Sequence, residues 1–94
     1  MIIVLAYDIT NTSKRNKIIR VLRAYGKRVQ KSVFECDIVE KERLDIFSKI
    51  VKIMKEPKDN NDSVRIYKVC DKCLKQTNII GKGTIEKRPS YLII

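Results

Sequence analysis

Ninety-four residues are enough for one domain with a modest core and too few for two. A net charge of +10 with no histidine points toward a polyanionic partner, most simply nucleic acid, and removes imidazole both as a general base and as a metal ligand. No apolar run reaches the roughly 18–20 residues needed to cross a bilayer, the first residues lack a basic n-region and a small-residue cleavage site, and the cysteines number three. A membrane partner is therefore excluded, and a reducing, cytoplasmic location is expected.

The chain opens on Ile2-Ile3-Val4-Leu5-Ala6-Tyr7-Asp8. Six apolar or aromatic residues rich in β-branching predict a strand buried on both faces, stopped by a carboxylate. An aspartate at a strand end commonly serves only the turn that follows. Here, however, no acidic residue occurs from Ile9 to Phe34, and eight basic ones do: Lys14, Arg15, Lys17, Arg20, Arg23, Lys27, Arg28 and Lys31. Asp8 is thus expected to be the only anion beside a cationic surface, an arrangement suited to a metal-held phosphate.

Thr12 or Ser13 is predicted as the N-cap of a first helix. Ile18, Leu22 and Tyr25, with Val21 beside them, form its apolar stripe. Lys17, Arg20 and Arg23 fall on the other side, and Arg15 lies beside the stripe in the first turn. Gly26 is placed where a left-handed cap is expected. The run from Lys27 to Ile38 changes pattern near Lys31 and Ser32 and predicts two strands joined by a tight reversal. Val39 to Lys55 predicts a second helix, with Leu44, Phe47, Ile50, Val51 and Met54 on one face and Pro57 stopping it. Lys58 to Asp62 is a turn by composition, and Ser63 to Val69 alternates with period two, as a strand does.

The resulting order, β-α-β-β-α-β, predicts an α+β, ferredoxin-like domain spanning 1–94 with an antiparallel sheet and both helices on one face. Its core is residues 1–69. The extension, 70–94, carries short β-like pieces at Thr77–Ile80 and Tyr91–Ile94 and is expected at a dimer or partner interface, where pairing with another chain's sheet edge would bury Tyr-Leu-Ile-Ile.

Tyr7-Asp8-Ile9, Arg15-Asn16-Lys17, Tyr25-Gly26-x-Arg28-Val29-Gln30-x-Ser32-Val33-Phe34-Glu35-Cys36 and Val64-Arg65-Ile66-Tyr67 stand in this order along the chain. In that order and spacing they resemble the CRISPR-associated protein 2 family over at least residues 2–69, the Gln-x-Ser-Val-Phe-Glu block being the most specific part. Val69-Cys70-x-x-Cys73 with Gly81-x-Gly83 is similar to one branch of that family. The resemblance implies a symmetric homodimer and partnership with the family's integrase, protein 1, in acquiring new spacers for antiviral defence. It also implies a metal-dependent endonuclease acting on RNA or DNA and centred on the aspartate that Asp8 matches. The resemblance implies, too, that in the acquisition complex the dimer is a scaffold for duplex DNA, with its own nuclease chemistry dispensable there. Tyr7, Arg15, Lys17, Arg28 and Phe34 match further residues implicated in the family. Lys17 departs from the arginine of some members, which keeps the charge and loses bidentate phosphate binding. Asn11 and Thr12 replace acidic residues common after the strand, which disfavours extra metal ligands there.

One carboxylate is a thin basis for hydrolysis. Mg²⁺, with Mn²⁺ as its substitute, takes one or two protein carboxylates together with substrate phosphate oxygens. A two-fold axis near the end of the first strand would supply a second Asp8. Arg15 and Arg28 are then placed to neutralise charge on the phosphate, with Lys17, Arg20 and Arg23 as further nucleic-acid contacts and Tyr7 and Phe34 in support. The plainer reading of each arginine is a phosphate anchor or a surface ion pair, and of Phe34 core or interface packing. Cys70-x-x-Cys73 lacks the four ligands of a structural zinc site, and a turn with ordinary buried thiols is expected.

Overall fold

The computed structural model describes residues 1–55 and 61–85. Strand β1 (Ile2–Asp8) is followed by helix α1 (Thr12–Arg23), the hairpin β2 (Lys27–Gln30) and β3 (Val33–Asp37), helix α2 (Glu40–Met54), strand β4 (Ser63–Val69) and a short helix α3 (Asp71–Lys75). The sheet order is β2-β3-β1-β4 with every pairing antiparallel. This is the ferredoxin-like arrangement expected from the element order.

The β1 run earns its central position because alternate residues point to opposite faces. Ile3, Leu5 and Tyr7 turn toward the helices. There they join Phe34 and Cys36 of β3, Ile18, Ile19 and Leu22 of α1, and Ile46 and Ile50 of α2 in one core cluster. Fully buried side chains such as Ile3, Leu5 and Phe34 each contribute about 1.5–3 kcal/mol relative to exposure. The other face of β1 is not covered by helices. On that face Ile2 is buried, Val4 and Ala6 are only half-buried and Asp8 is exposed, so the expectation of a strand buried on both faces holds at its start and is corrected toward its end. Opposite them on β4, Tyr67 pairs with Val4 and Arg65 with Ala6; both are exposed. The open face is therefore part apolar, part charged.

Local chemistry departs from expectation at two points in the first half. The N-cap of α1 is Asn11, whose Oδ1 accepts the Lys14 backbone N–H at 2.8 Å. The helix thus starts one residue before Ser/Thr preference places it, because an asparagine oxygen caps at least as well. Gly26 is not a left-handed cap, since positive φ among the described residues occurs only at Gly81 and Gly83. Its missing side chain serves a close approach instead: a Cβ there would lie 2.3 Å from both Cys36 Sγ and the Glu35 carbonyl oxygen. The predicted reversal at Lys31-Ser32 is present, and a register shift between Arg28 and Gln30 sets Arg28 opposite Phe34 and Gln30 opposite Val33.

Helix α2 is rotated from its expected setting. Glu42 reaches back to the Val39 N–H at 3.1 Å and fixes its start. Ile46 and Ile50 are buried and Ile53 is partly so, whereas Leu44 and Phe47 are each 53% exposed. Apolar residues lie on more than one side of this helix, so periodicity allows two settings, and packing against α1 and the sheet selects Ile46, Ile50 and Ile53. The remaining stripe borders a groove of about 430 Å³ lined by Phe47, Val51, Met54, Val64 and Ile66.

Thr77 to Ile80 forms no strand, which corrects that part of the predicted β extension. The sequence instead forms α3 immediately after β4. Tyr91 to Ile94, Pro57 and most of the predicted 58–62 turn lie outside the described residues. Among the described residues no helix is long and apolar enough to cross a membrane.

Candidate functional site

Asp8 is the last residue of β1 and pairs with Ser63, the first residue of β4. Alternation along the strand puts it on the open face with Val4 and Ala6. Its side chain is exposed, and no hydrogen bond or ion pair to it is found among the described residues. Ile9, buried next to it, anchors the chain as it leaves the sheet. Arg15, half-buried in the first turn of α1, donates to the Ile9 carbonyl oxygen and to Thr12 Oγ1, both at 3.4 Å. Its guanidinium is thereby held at the sheet end beside the Asp8–Ile9 segment, as the helical wheel predicts.

Asp62, which by composition belongs to a turn, joins this end of the molecule as a functional-site neighbour that the sequence pattern does not reveal. It accepts the Thr10 backbone N–H at 3.0 Å and the Thr10 hydroxyl at 3.3 Å, and pairs with Lys14 Nζ at 3.4 Å. Both side chains of that ion pair are only 3% exposed. Asp8 is consequently not the only anion beside the basic segment, and Lys14 is an internal brace, not part of the basic surface. The available signal was positional: Asp62 immediately precedes a strand that pairs along the whole of β1, so it must lie beside the turn that follows Asp8.

The basic residues do not converge on one point. Arg28 Nη2 donates to Tyr7 Oη at 3.2 Å, and the guanidinium carbon Cζ lies 5.9 Å from the centre of the Phe34 ring. Tyr7 Oη in turn donates to the Lys31 carbonyl at 3.1 Å. Tyr7 and Phe34 are both core residues, 4% and 0% exposed. They support Arg28 from below, and neither offers a face for stacking a base. Lys17, Arg20 and Arg23 are exposed on α1. Because Ile18, Ile19 and Leu22 of the same helix turn inward, Arg20 and Arg23 look out from the helix layer, away from the open face that carries Asp8.

The donor set bears on a metal. Among the described residues no group of three or more His, Cys, Asp or Glu could hold one. Asp62 is committed to Lys14 and Thr10, which leaves Asp8 as the uncommitted carboxylate at the end of β1 among the described residues. A hard cation that keeps most of its water and takes one carboxylate per protomer fits this site; a dedicated cage of protein ligands does not.

Comparison with known proteins places these features. The family model for CRISPR associated protein Cas2 matches residues 1–77. The chain belongs to the Cas2 family. It is 37% identical over 83 residues to the CRISPR-associated endoribonuclease Cas2 1 of Chloroflexus aurantiacus, a match covering 88% of this chain and 87% of that one. The crystal structure of Streptococcus pyogenes Cas2 at pH 6.5 superposes with a TM-score of 0.68 at 28% identity, over 86% of this chain and all of the other. A Cas2-like chain in a partial Cas6-RT-Cas1–Cas2 complex superposes with a TM-score of 0.70 at 29% identity, over 84% of this chain and 89% of its own. The Cas2 match spans β1 through α3, so Asp8, Arg15 and Arg28 all lie in the segment shared with the family, and Cys70-x-x-Cys73 lies near its end.

Proposed function

We propose that this Cas2-family chain is a metal-dependent endonuclease that works as a homodimer and serves spacer acquisition beside the CRISPR integrase. The observation that carries the reading is an exposed carboxylate, Asp8, with no partner among the described residues, at the edge of a partly apolar sheet face that no helix covers. A second copy packed on that face would cover Val4 and Ala6 and, by its two-fold symmetry, bring a second Asp8 to the first. Two carboxylates then provide what one lacks.

Bound Mg²⁺, or Mn²⁺ in its place, would polarise a phosphodiester and acidify a water. The chain's own contribution is position and charge. Asp8 supplies the oxygen donor. Arg15, held at the Ile9 carbonyl and Thr12, and Arg28, held at Tyr7, offer guanidinium groups to phosphate oxygens. The relatives' names, endoribonuclease among them, support phosphodiester cleavage, and the complex that contains a Cas1 and a Cas2-like chain supports an integrase partner. Three free cysteines suit a cytoplasmic protein. The test combines light scattering with cleavage of RNA and DNA oligonucleotides in Mg²⁺ and in EDTA. A dimer that cleaves only with metal is expected; a monomer, or equal cleavage in EDTA, would refute the reading.

A second role is favoured by one specific observation: Arg20 and Arg23 face outward from the helix layer, remote from Asp8's face. They suit a duplex laid across the dimer as a scaffold for acquisition. The double substitution Arg20→Ala with Arg23→Ala should lower duplex affinity and reduce the slope of log K against log salt by about two. An unchanged slope would make that face merely solvated.

A further inference from the structure

Cys70 follows the last residue of β4 and caps α3. Its backbone is extended, with φ −70° and ψ 161°, and its Sγ accepts the Cys73 backbone N–H at 3.4 Å. Its carbonyl accepts the Leu74 N–H at 2.8 Å. The two cysteines therefore share one face of a single turn, three residues apart, where side chains are neighbours. Both are exposed, whereas the third cysteine, Cys36, is buried. The expectation of buried thiols in a plain turn is overturned. No third His, Cys, Asp or Glu joins the pair among the described residues, so the chemistry open to these sulfurs is with each other and with small molecules.

We propose that Cys70 and Cys73 are a thiol–disulfide exchange site that takes low-molecular-weight disulfides and closes to an intramolecular disulfide. The two positions are inequivalent. The Cys73 backbone N–H and then its thiol, both donating to the Cys70 sulfur, hold Cys70 below the ordinary thiol range. The same hydrogen bond from the Cys70 side, followed by its charge, pushes Cys73 up. Cys70 is the attacking sulfur and Cys73 the resolving one. The Cys70 thiolate attacks one sulfur of RSSR, forming a mixed disulfide and expelling RS⁻, which takes up the proton Cys70 gave up. Cys73 then loses its proton and attacks Cys70 Sγ, expelling the second RS⁻, which takes that proton. The protein thiols are oxidised by two electrons, and one RSSR is reduced to two RSH. Closure fixes the turn that directs the chain away from the edge strand β4 and into the C-terminal quarter.

The test uses the full chain with oxidised glutathione, acid quenching, intact mass and peptide mapping. Cys36, whose thiol burial pushes up to about 11 with help from Glu35 and Glu42, is an internal control that should stay unmodified. The expected product has lost the mass of two hydrogens, is monomeric under denaturing conditions and carries a Cys70–Cys73 bond that dithiothreitol reverses. Cys73→Ser should trap glutathione on Cys70, whose sulfur still accepts the backbone N–H of position 73, and Cys70→Ser should acquire it on Cys73 measurably more slowly. A stable glutathione adduct on the unsubstituted chain, a covalent dimer or no reaction would overturn the site. Equal rates for the two variants would overturn the assignment of Cys70 as the attacking sulfur.

Discussion

Asp8→Asn is expected to reduce metal-dependent cleavage by at least about a hundredfold. Losing a residue that only orients a metal ligand already costs ten- to a hundredfold, and Asp8 is the uncommitted carboxylate at the end of β1 among the described residues. The substitution keeps the size of the side chain and most of its hydrogen bonding, and the exposed position carries no packing, so the unfolding midpoint should be unchanged. Nucleic-acid binding in EDTA should stay the same or tighten, because an anion leaves a basic surface. Spacer integration by a reconstituted complex should survive if the dimer acts there as a scaffold. Cleavage by Asp8→Asn at the rate of the unsubstituted protein would remove the metal-site assignment. Failed integration by a folded Asp8→Asn dimer would argue against a purely architectural part in acquisition.

The second large effect is on stability. Asp62→Ala strips the carboxylate from a Lys14 ammonium that is 3% exposed, and removes the acceptor for the Thr10 N–H and hydroxyl. Removing one charged acceptor from a buried ammonium costs about 1.5–3 kcal/mol, the scale of a hydrogen bond to a charged group. Urea unfolding should show the loss as a lower midpoint at unchanged m value. Replacing both partners, Lys14→Met with Asp62→Leu, should recover part of it, because the desolvation cost of the ammonium disappears with its charge. A single-substitution effect below about 0.5 kcal/mol would show that the pair is solvated in solution and braces nothing. The pair also sets the turn between Asp8 and α1, so Asp62→Ala should lower cleavage although it leaves Asp8 untouched.

Much of the frame was legible because its signals are local and strong. The Ile2–Tyr7 run has no helical alternative among such β-branched residues, and the Ser63–Val69 alternation reads directly as a strand with two unlike faces. With a reversal at Lys31-Ser32 and a periodic helix on either side of the hairpin, the element order follows, and that order admits few antiparallel topologies. Asp8 stood out for an equally local reason: it ends the most apolar strand at the start of a long cationic segment. The Arg15 position followed from helical geometry alone, and its bond to the Ile9 carbonyl agrees.

What the chain's pattern leaves open is which of two locally equal choices packing takes. Helix α2 has apolar residues on two sides, and only its contact with α1 and the sheet decides that Ile46 and Ile50 go in while Phe47 stays out. Gly26 reads as a cap until β3 is seen lying against it, where Cys36 Sγ and the Glu35 carbonyl leave no room for a Cβ. Asp62 reads as a turn residue because its partners, Thr10 and Lys14, are 52 and 48 positions away in sequence. Composition and periodicity thus determined the four strands of the sheet, α1 and α2, their order and the chemical character of the strand-end carboxylate. The tertiary structure alone decided which cations are spent inside the fold and which face of β1 stays open, because both depend on contacts between segments that no local pattern encodes.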